Sequence, residues 1–208
     1  MNRTLMVALH GVGASARILA DALGPLSPLA EIVALDGPEP FDGGGIGRQW
    51  FSVAQVTDAN RAERIAAALP PLLDRLDRLA RERGLAREDI VLLGFSQGAI
   101  LTLAMVAQGL HPGRAVAIAG RLAVPPIRVR GRGSELLLIS DRIDPVMPAA
   151  LTVAAAARLA KAGHHIEHVQ TDGVGHAIAP ATLDVVAGWL AATSPDRTAF
   201  DTVKGQSS

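Results

Sequence analysis

Apolar residues recur along this chain in two alternating rhythms. Short, nearly unbroken apolar runs occupy Thr4–Leu9 and residues 31–35, 90–94, 114–119 and 135–140, and His165–Thr171 completes a set of candidate strands. Continuous apolar runs of this length fit strands covered on both faces. Between them lie segments with helical spacing at Ala16–Leu23, 57–83, 97–108, 148–163 and Pro180–Ala192. In 57–83 the residues Ile65, Leu69, Leu72, Leu73, Leu76 and Leu79 form one stripe, with Arg, Asp and Glu elsewhere. Pro70 and Pro71 interrupt that stripe and predict a kink with renewed helix beyond it. Segment 97–108 is apolar nearly all round, which predicts a buried helix. Strands alternating with helices predict a doubly wound α/β domain, a mainly parallel sheet of about six strands with helices on both faces.

Punctuation agrees with this division. Ser15 is a candidate N-cap and Gly84 ends the long helical segment. Residues 36–48, with Gly43-Gly44-Gly45, read as an open loop, and a second loop combines Pro125-Pro126 with several arginines. The reading is one domain over 1–193, followed by a polar tail, 194–208, expected to be disordered.

Composition narrows the function classes. At 208 residues the chain can build a core without staples. Lys+Arg and Asp+Glu are 20 each and scattered, so no net field gathers nucleic acid or an anionic membrane. The chain has no cysteine, which excludes disulfides, thiolate catalysis and Cys-ligated metal, and fits a reducing compartment. The apolar run near the N-terminus stops at His10-Gly11, too short for a secretory signal, and no apolar run is long enough to span a membrane. The expected location is cytoplasmic.

Nucleophilic chemistry must therefore use an oxygen, and VLLGFSQGA at 91–99 offers one. An apolar strand runs into Gly94-Phe95-Ser96-Gln97-Gly98 and an apolar helix follows at once. At such a turn the serine projects from a strained backbone, and the flanking glycines let strand and helix approach. A serine hydroxyl needs a base, and the base needs a carboxylate to orient it. In doubly wound sheets functional groups gather beyond the carboxyl ends of the strands. At those ends lie residues 10–15, Ser96, then Asp141 and Asp144, then Asp172 and His176. His176, in the flexible GVGH loop, is the candidate base. Sequence spacing leaves Asp141, Asp144 and Asp172 open as its partner. Two backbone N–H donors, those of Val12 and Gln97, are candidates for an oxyanion hole. The remaining histidines receive no role: His164, His165 and His168 read as exposed or edge positions, and His111 as a turn residue.

With these residues in view, the chain resembles the phospholipase/carboxylesterase family of α/β-hydrolases, whose members include acyl-protein thioesterases and small bacterial carboxylesterases. The resemblance rests on LHGVG (9–13), RQWF (48–51), GFSQGA (94–99), AGRL (119–122), DPVMP (144–148) and GVGHAI (173–178). It implies a triad of Ser96, Asp144 and His176, an oxyanion hole at Val12 and Gln97, and an acyl pocket beside Trp50, Phe51 and Leu122. Adjacent residues of an extended segment point to opposite sides, so at most one of Trp50 and Phe51 is expected to line that pocket. The chain departs from the family pattern at Ala99, where a glycine is usual, at Ser140-Asp141, where a His-Gly pair is usual, and at Ser52, where an acidic residue is common.

The activity implied is hydrolysis of a carboxylic ester or thioester through an acyl-enzyme on Ser96, with a small-molecule or acyl-chain substrate and without cofactor or metal. The alternatives are an acyltransferase or lysophospholipase with the same triad, and a catalytically silent binding protein on the same fold.

Overall fold

The computed structural model describes residues 3–192, so the expected disordered tail lies outside the described residues. Six strands form one parallel sheet: β1 (Thr4–Leu9), β2 (Ala30–Leu35), β5 (Val91–Phe95), β6 (Ala115–Ile118), β7 (Glu135–Asp141) and β8 (His165–Thr171), in the order β2-β1-β5-β6-β7-β8. The helices are α1 (Ala16–Leu23), α2 (Asp58–Glu82), α3 (Gln97–Ala107), α4 (Ala149–Ala162) and α5 (Pro180–Ala192). This is the α/β-hydrolase fold.

The strand order fixes the layers. The chain steps from β1 to β2 in one direction, then crosses back over β1 to β5 and continues toward β8. Right-handed crossovers therefore put α1 on one face and α2, α3 and α4 on the other. After β8, α5 returns to the face of α1, where it packs near the short turn Gly24–Leu26. The direction changes between β1 and β5, which makes the gap above these strands the natural ligand crevice.

The central strands are covered on both faces, as their unbroken apolar runs require. Met6, Val7, Ala8 and Leu9 of β1 and Val91, Leu92 and Leu93 of β5 are fully buried. Helix α3 is buried along its whole length, and each of its large side chains, such as Leu101 and Leu103, contributes about 2 kcal/mol by leaving water.

Boundaries differ from expectation by one or two residues, and one feature differs in kind. Residues 36–48 are not wholly loop: Glu39–Pro40 (β3) pairs antiparallel with Arg48–Gln49 (β4). Helix α2 continues beyond Pro70 and Pro71 as one element of 25 residues, as its apolar stripe predicts. The carbonyls of Ala66 and Ala67, which lose their N–H partners to the prolines, belong to exposed residues, so water can take over.

His111 lies in the segment between α3 and β6, in keeping with a turn position, yet is fully buried; His164, read as an exposed or edge position, stands just before the edge strand β8 and is 8 % exposed. Ser134 joins them, its hydroxyl donating to the His111 carbonyl at 3.1 Å and its N–H to His164 Nδ1 at 3.2 Å. These contacts join residues 23 and 30 positions apart, beyond what a local pattern can show. His165 is exposed as expected, and His168 is half-buried against the Ser140 hydroxyl, 3.0 Å away.

Candidate active site

Ser96 stands between β5 and α3 at φ 51°, ψ −113°. An L-residue keeps such a backbone only where its surroundings hold it. Close packing holds it here. A Cβ at Gly94 would come within 2.4 Å of the Gly98 carbonyl carbon, and one at Gly98 within 2.1 Å of the Leu9 carbonyl oxygen. The turn is also tied to both neighbouring strands. The Ser96 N–H donates to the Ile118 carbonyl at 3.0 Å and the Gly98 N–H to the His10 carbonyl at 3.1 Å.

His176 reaches this serine from the loop between β8 and α5. Its Nε2 lies 2.9 Å from Ser96 Oγ and its Nδ1 lies 2.7 Å from Asp144 Oδ2. A carboxylate can only accept, so Nδ1 carries the ring proton and Nε2 is left to accept from the serine hydroxyl. The Asp144 side chain is fully buried, and its second oxygen accepts from the N–H groups of Val146 and Met147, both at 2.8 Å. Those two bonds fix the carboxylate's orientation and compensate its burial. The Phe95 ring packs on the imidazole, with centroids 5.1 Å apart.

The other two aspartates have different partners. Asp141 accepts from the N–H groups of Ile143, Val174 and Gly175, each at 3.0 Å, and from the Thr171 hydroxyl at 2.8 Å. Burial would raise its pKa, yet these donors outweigh burial and hold it down at about 2. Asp141 thus fastens the end of β7 to the loop that carries His176. Asp172 forms a surface pair with Arg142 at 2.5 Å.

The first-strand loop lies against the serine: a Cβ at Gly11 would stand 3.1 Å from the Ser96 Cβ. Among the described residues, neither the Val12 nor the Gln97 N–H donates to a protein acceptor. Gln97 opens α3, whose first N–H groups have no partner within the helix.

Two groups that the sequence reading missed brace this loop. The Gln97 side chain accepts from the Trp50 N–H and donates to the Phe51 carbonyl, both at 2.8 Å. His10 is fully buried; its Nε2 accepts from the Gly37 N–H at 2.9 Å, so its proton sits on Nδ1, facing the Gly11 carbonyl at 2.7 Å. Burial pushes this imidazole below its ordinary value, against the opposing pull of the Gly11 carbonyl. The Trp50 indole N–H donates to the His10 carbonyl at 2.9 Å. For Gln97 a signal existed: a lone amide opening an apolar helix must find partners.

Trp50, Phe51 and Leu122 are all buried, and Leu122 lines a cavity of about 240 Å³ that also meets Arg121 and Arg158. Ser52, at the position where an acidic residue is common, donates its hydroxyl to Asp42 at 2.8 Å. Asp42 also accepts from the Val53 and Ala54 N–H groups. The Ser52 hydroxyl first, and then the backbone and Gln49 donors, hold Asp42 at about 2. Among the described residues there is no cluster of three or more His, Asp or Glu suited to a metal ion.

Comparison with known proteins identifies the family. The chain is 32 % identical over 197 residues to Esterase YpfH of Escherichia coli (strain K12), spanning 92 % of this chain and 83 % of that protein. The crystal structure of esterase PE8 superposes with a TM-score of 0.81 at 28 % identity, covering 93 % of this chain and 94 % of that one. The Bacillus cereus carboxylesterase shares the fold, with a TM-score of 0.79 at 17 % identity, covering 91 % of this chain and 88 % of that one. The Phospholipase/Carboxylesterase family pattern matches residues 1–194, and the chain belongs to that family.

Proposed function

We propose that the protein is an ester-hydrolysing serine hydrolase in which Ser96 is the nucleophile, His176 the general base and acid, and Asp144 the residue that orients the imidazole. The observation that carries this reading is the unbroken relay from Ser96 Oγ to His176 Nε2 at 2.9 Å and from His176 Nδ1 to Asp144 Oδ2 at 2.7 Å. Ser96 Oγ attacks the acyl carbon while its proton passes to Nε2, and the buried Asp144 carboxylate stabilises the imidazolium. The Val12 and Gln97 N–H groups receive the developing oxyanion, each contributing about 3 kcal/mol in the transition state. His176 then protonates the leaving alcohol or thiol. Water deprotonated by the same ring hydrolyses the acyl-enzyme, releasing the acid and freeing Ser96.

The substrate is a small-molecule ester, with its acyl group against the wall that includes Trp50, Phe51 and Leu122. Neither nucleic acid nor cofactor enters this reading. Residues 1–193 act as one domain, and the location is cytoplasmic, supported by the lack of cysteine. Among the described residues, no helix is long and apolar enough to cross a membrane.

The test is Ser96→Ala and His176→Ala assayed against esters of graded acyl length with oxygen and sulfur leaving groups. Turnover is expected to fall by about five to six orders of magnitude in each. A fluorophosphonate probe should label the folded wild type on Ser96. Ordinary esterase activity in Ser96→Ala would overturn the assignment. Label without hydrolysis, but with acyl transfer to added alcohols, would replace it by an acyltransferase.

A further inference from the structure

A cavity of about 760 Å³ lies at the opposite end of the sheet strands from Ser96 and has no part in the mechanism above. It opens where the chain enters β6, β7 and β8, and its wall includes Val106 at the end of α3 together with Ile127 and Val129. Its volume lies within the roughly 300–1,000 Å³ of small-molecule sites. The arginine-bearing loop after Pro125-Pro126 forms one side. The Ile127 N–H donates to the Ala107 carbonyl at the end of α3, and the Val129 N–H to the Ala162 carbonyl at the end of α4, both at 2.8 Å. This backbone strap closes two helix C-termini and carries Arg128, Arg130 and Arg132 onto the cavity wall.

Helix ends account for part of that positive charge. Two C-termini supply roughly half a negative charge each. Arg132 is paired with Glu135 at 2.5 Å. Three guanidinium groups against these partners leave roughly one unit of positive charge uncompensated. A buried polar group stands beside the same cavity. His164, which lines it, is 8 % exposed and has Nδ1 occupied as an acceptor from the Ser134 N–H, so Nε2 carries the proton. Among the described residues that buried Nε2–H has no acceptor. A buried polar hydrogen left unpaired beside a cationic rim costs free energy that an anionic oxygen reaching it would recover.

We propose that this cavity is a second, non-catalytic binding site for an amphiphilic organic phosphate. The phosphoryl oxygens take the forked donors of Arg128 and Arg130, Arg132 adds charge from its pair with Glu135, and the apolar portion lies along Val106, Ile127 and Val129. Guanidinium groups match phosphate in paired hydrogen bonds, and several converging on one cavity exceed what a single carboxylate can use. The inference is independent of the esterase assignment, since no residue named here touches the Ser96 site.

The test is calorimetric titration of the full chain with hexyl phosphate, with inorganic phosphate, hexanol and phosphatidate vesicles as separate arms. Saturable binding of hexyl phosphate with Kd of about 100 µM or tighter is expected. In Arg128→Ala/Arg130→Ala it should weaken by about tenfold or more, while ester hydrolysis and thermal stability stay unchanged. Both side chains are exposed and the helix ends are closed by backbone, so this variant keeps its fold. His164→Phe should weaken binding as well. Ser96→Ala should bind like wild type, which separates this site from the catalytic one. Three results would overturn the proposal: no saturable binding, equal affinity in the double arginine variant, or binding to vesicles alone. Equal affinity for inorganic phosphate and hexyl phosphate would refute the apolar subsite.

Discussion

Asp141 and Asp144 lie three positions apart and do different work. Asp144 meets the imidazole, whereas Asp141 gathers three backbone N–H groups and one hydroxyl around the His176 loop. Asp141→Asn puts an amide donor against some of those N–H groups, so stability should fall by about 1–3 kcal/mol, with kcat reduced more than KM as His176 loses its support. Asp144→Asn should instead leave stability nearly unchanged and lower kcat by about four orders of magnitude. Denaturant melts and steady-state kinetics of the two variants separate the roles. The acidity of Asp141 adds a pH signature. Its folded value, about 2, lies below the ordinary 3.8, so the stabilisation is present above that ordinary value and is lost as pH falls toward 2. The difference in stability between wild type and Asp141→Asn should therefore be full at neutral pH and shrink through this acid range. Ala99 is another residue that becomes intelligible in three dimensions. It is fully buried, and a Cβ at Gly120 would stand 2.8 Å from its methyl group. The methyl fits because its neighbour has none. Gly120→Ala should cost about 1–3 kcal/mol by overpacking, and Ala99→Gly should relieve part of that cost in the double variant. Additive losses in a double-mutant cycle would exclude the coupling.

The elements were legible to the extent that their physics is local. Unbroken apolar runs gave β1, β5 and β7 because strands covered on both faces need nothing else, and the apolar segment after Ser96 gave α3 for the same reason. Ser96 and His176 were visible because a glycine-flanked turn and a flexible loop follow strands. Local reasoning failed where partners are distant in sequence. The pairing of β3 with β4 spans a glycine-rich loop with no periodicity to read. The Gln97 clamp on Trp50 and Phe51 bridges 47 and 46 positions. The prolines of α2 interrupt a helix that resumes beyond them, as the apolar stripe on both sides predicts. Helix α2 continues because the orphaned carbonyls sit on its wet face, yet two hydrogen bonds are still missing from the ladder. Pro70→Ala/Pro71→Ala should restore them and raise stability by about 1–3 kcal/mol without altering turnover, read by thermal melts beside an esterase assay. An unchanged or lower melting temperature would show that the prolines fit α2 without net cost.

At the scale of the whole molecule the sheet has two functional edges. Beyond the strand C-termini, loops from β1, β5, β7 and β8 meet over the point where strand order reverses, and Ser96, Asp144 and His176, the proposed triad, come from three of them. Beyond the strand N-termini lie the arginine strap and its cavity. The sequence announced the first edge through its glycines, serine and histidine, while the second needed the ends of α3 and α4 to be brought together. The path of α5 bears on how this enzyme can be handled. Strand β1 begins at the second edge, and α5 runs back to it, bringing Trp189 beneath the Arg114 guanidinium at the start of β6, 5.8 Å from the ring centroid. Residues 3 and 192 therefore both leave the fold on the side away from Ser96. A bead, a surface or a fused protein attached through either end would leave the catalytic mouth facing solution. Enzyme immobilised through a C-terminal tag should keep the kcat/KM of free enzyme for small esters.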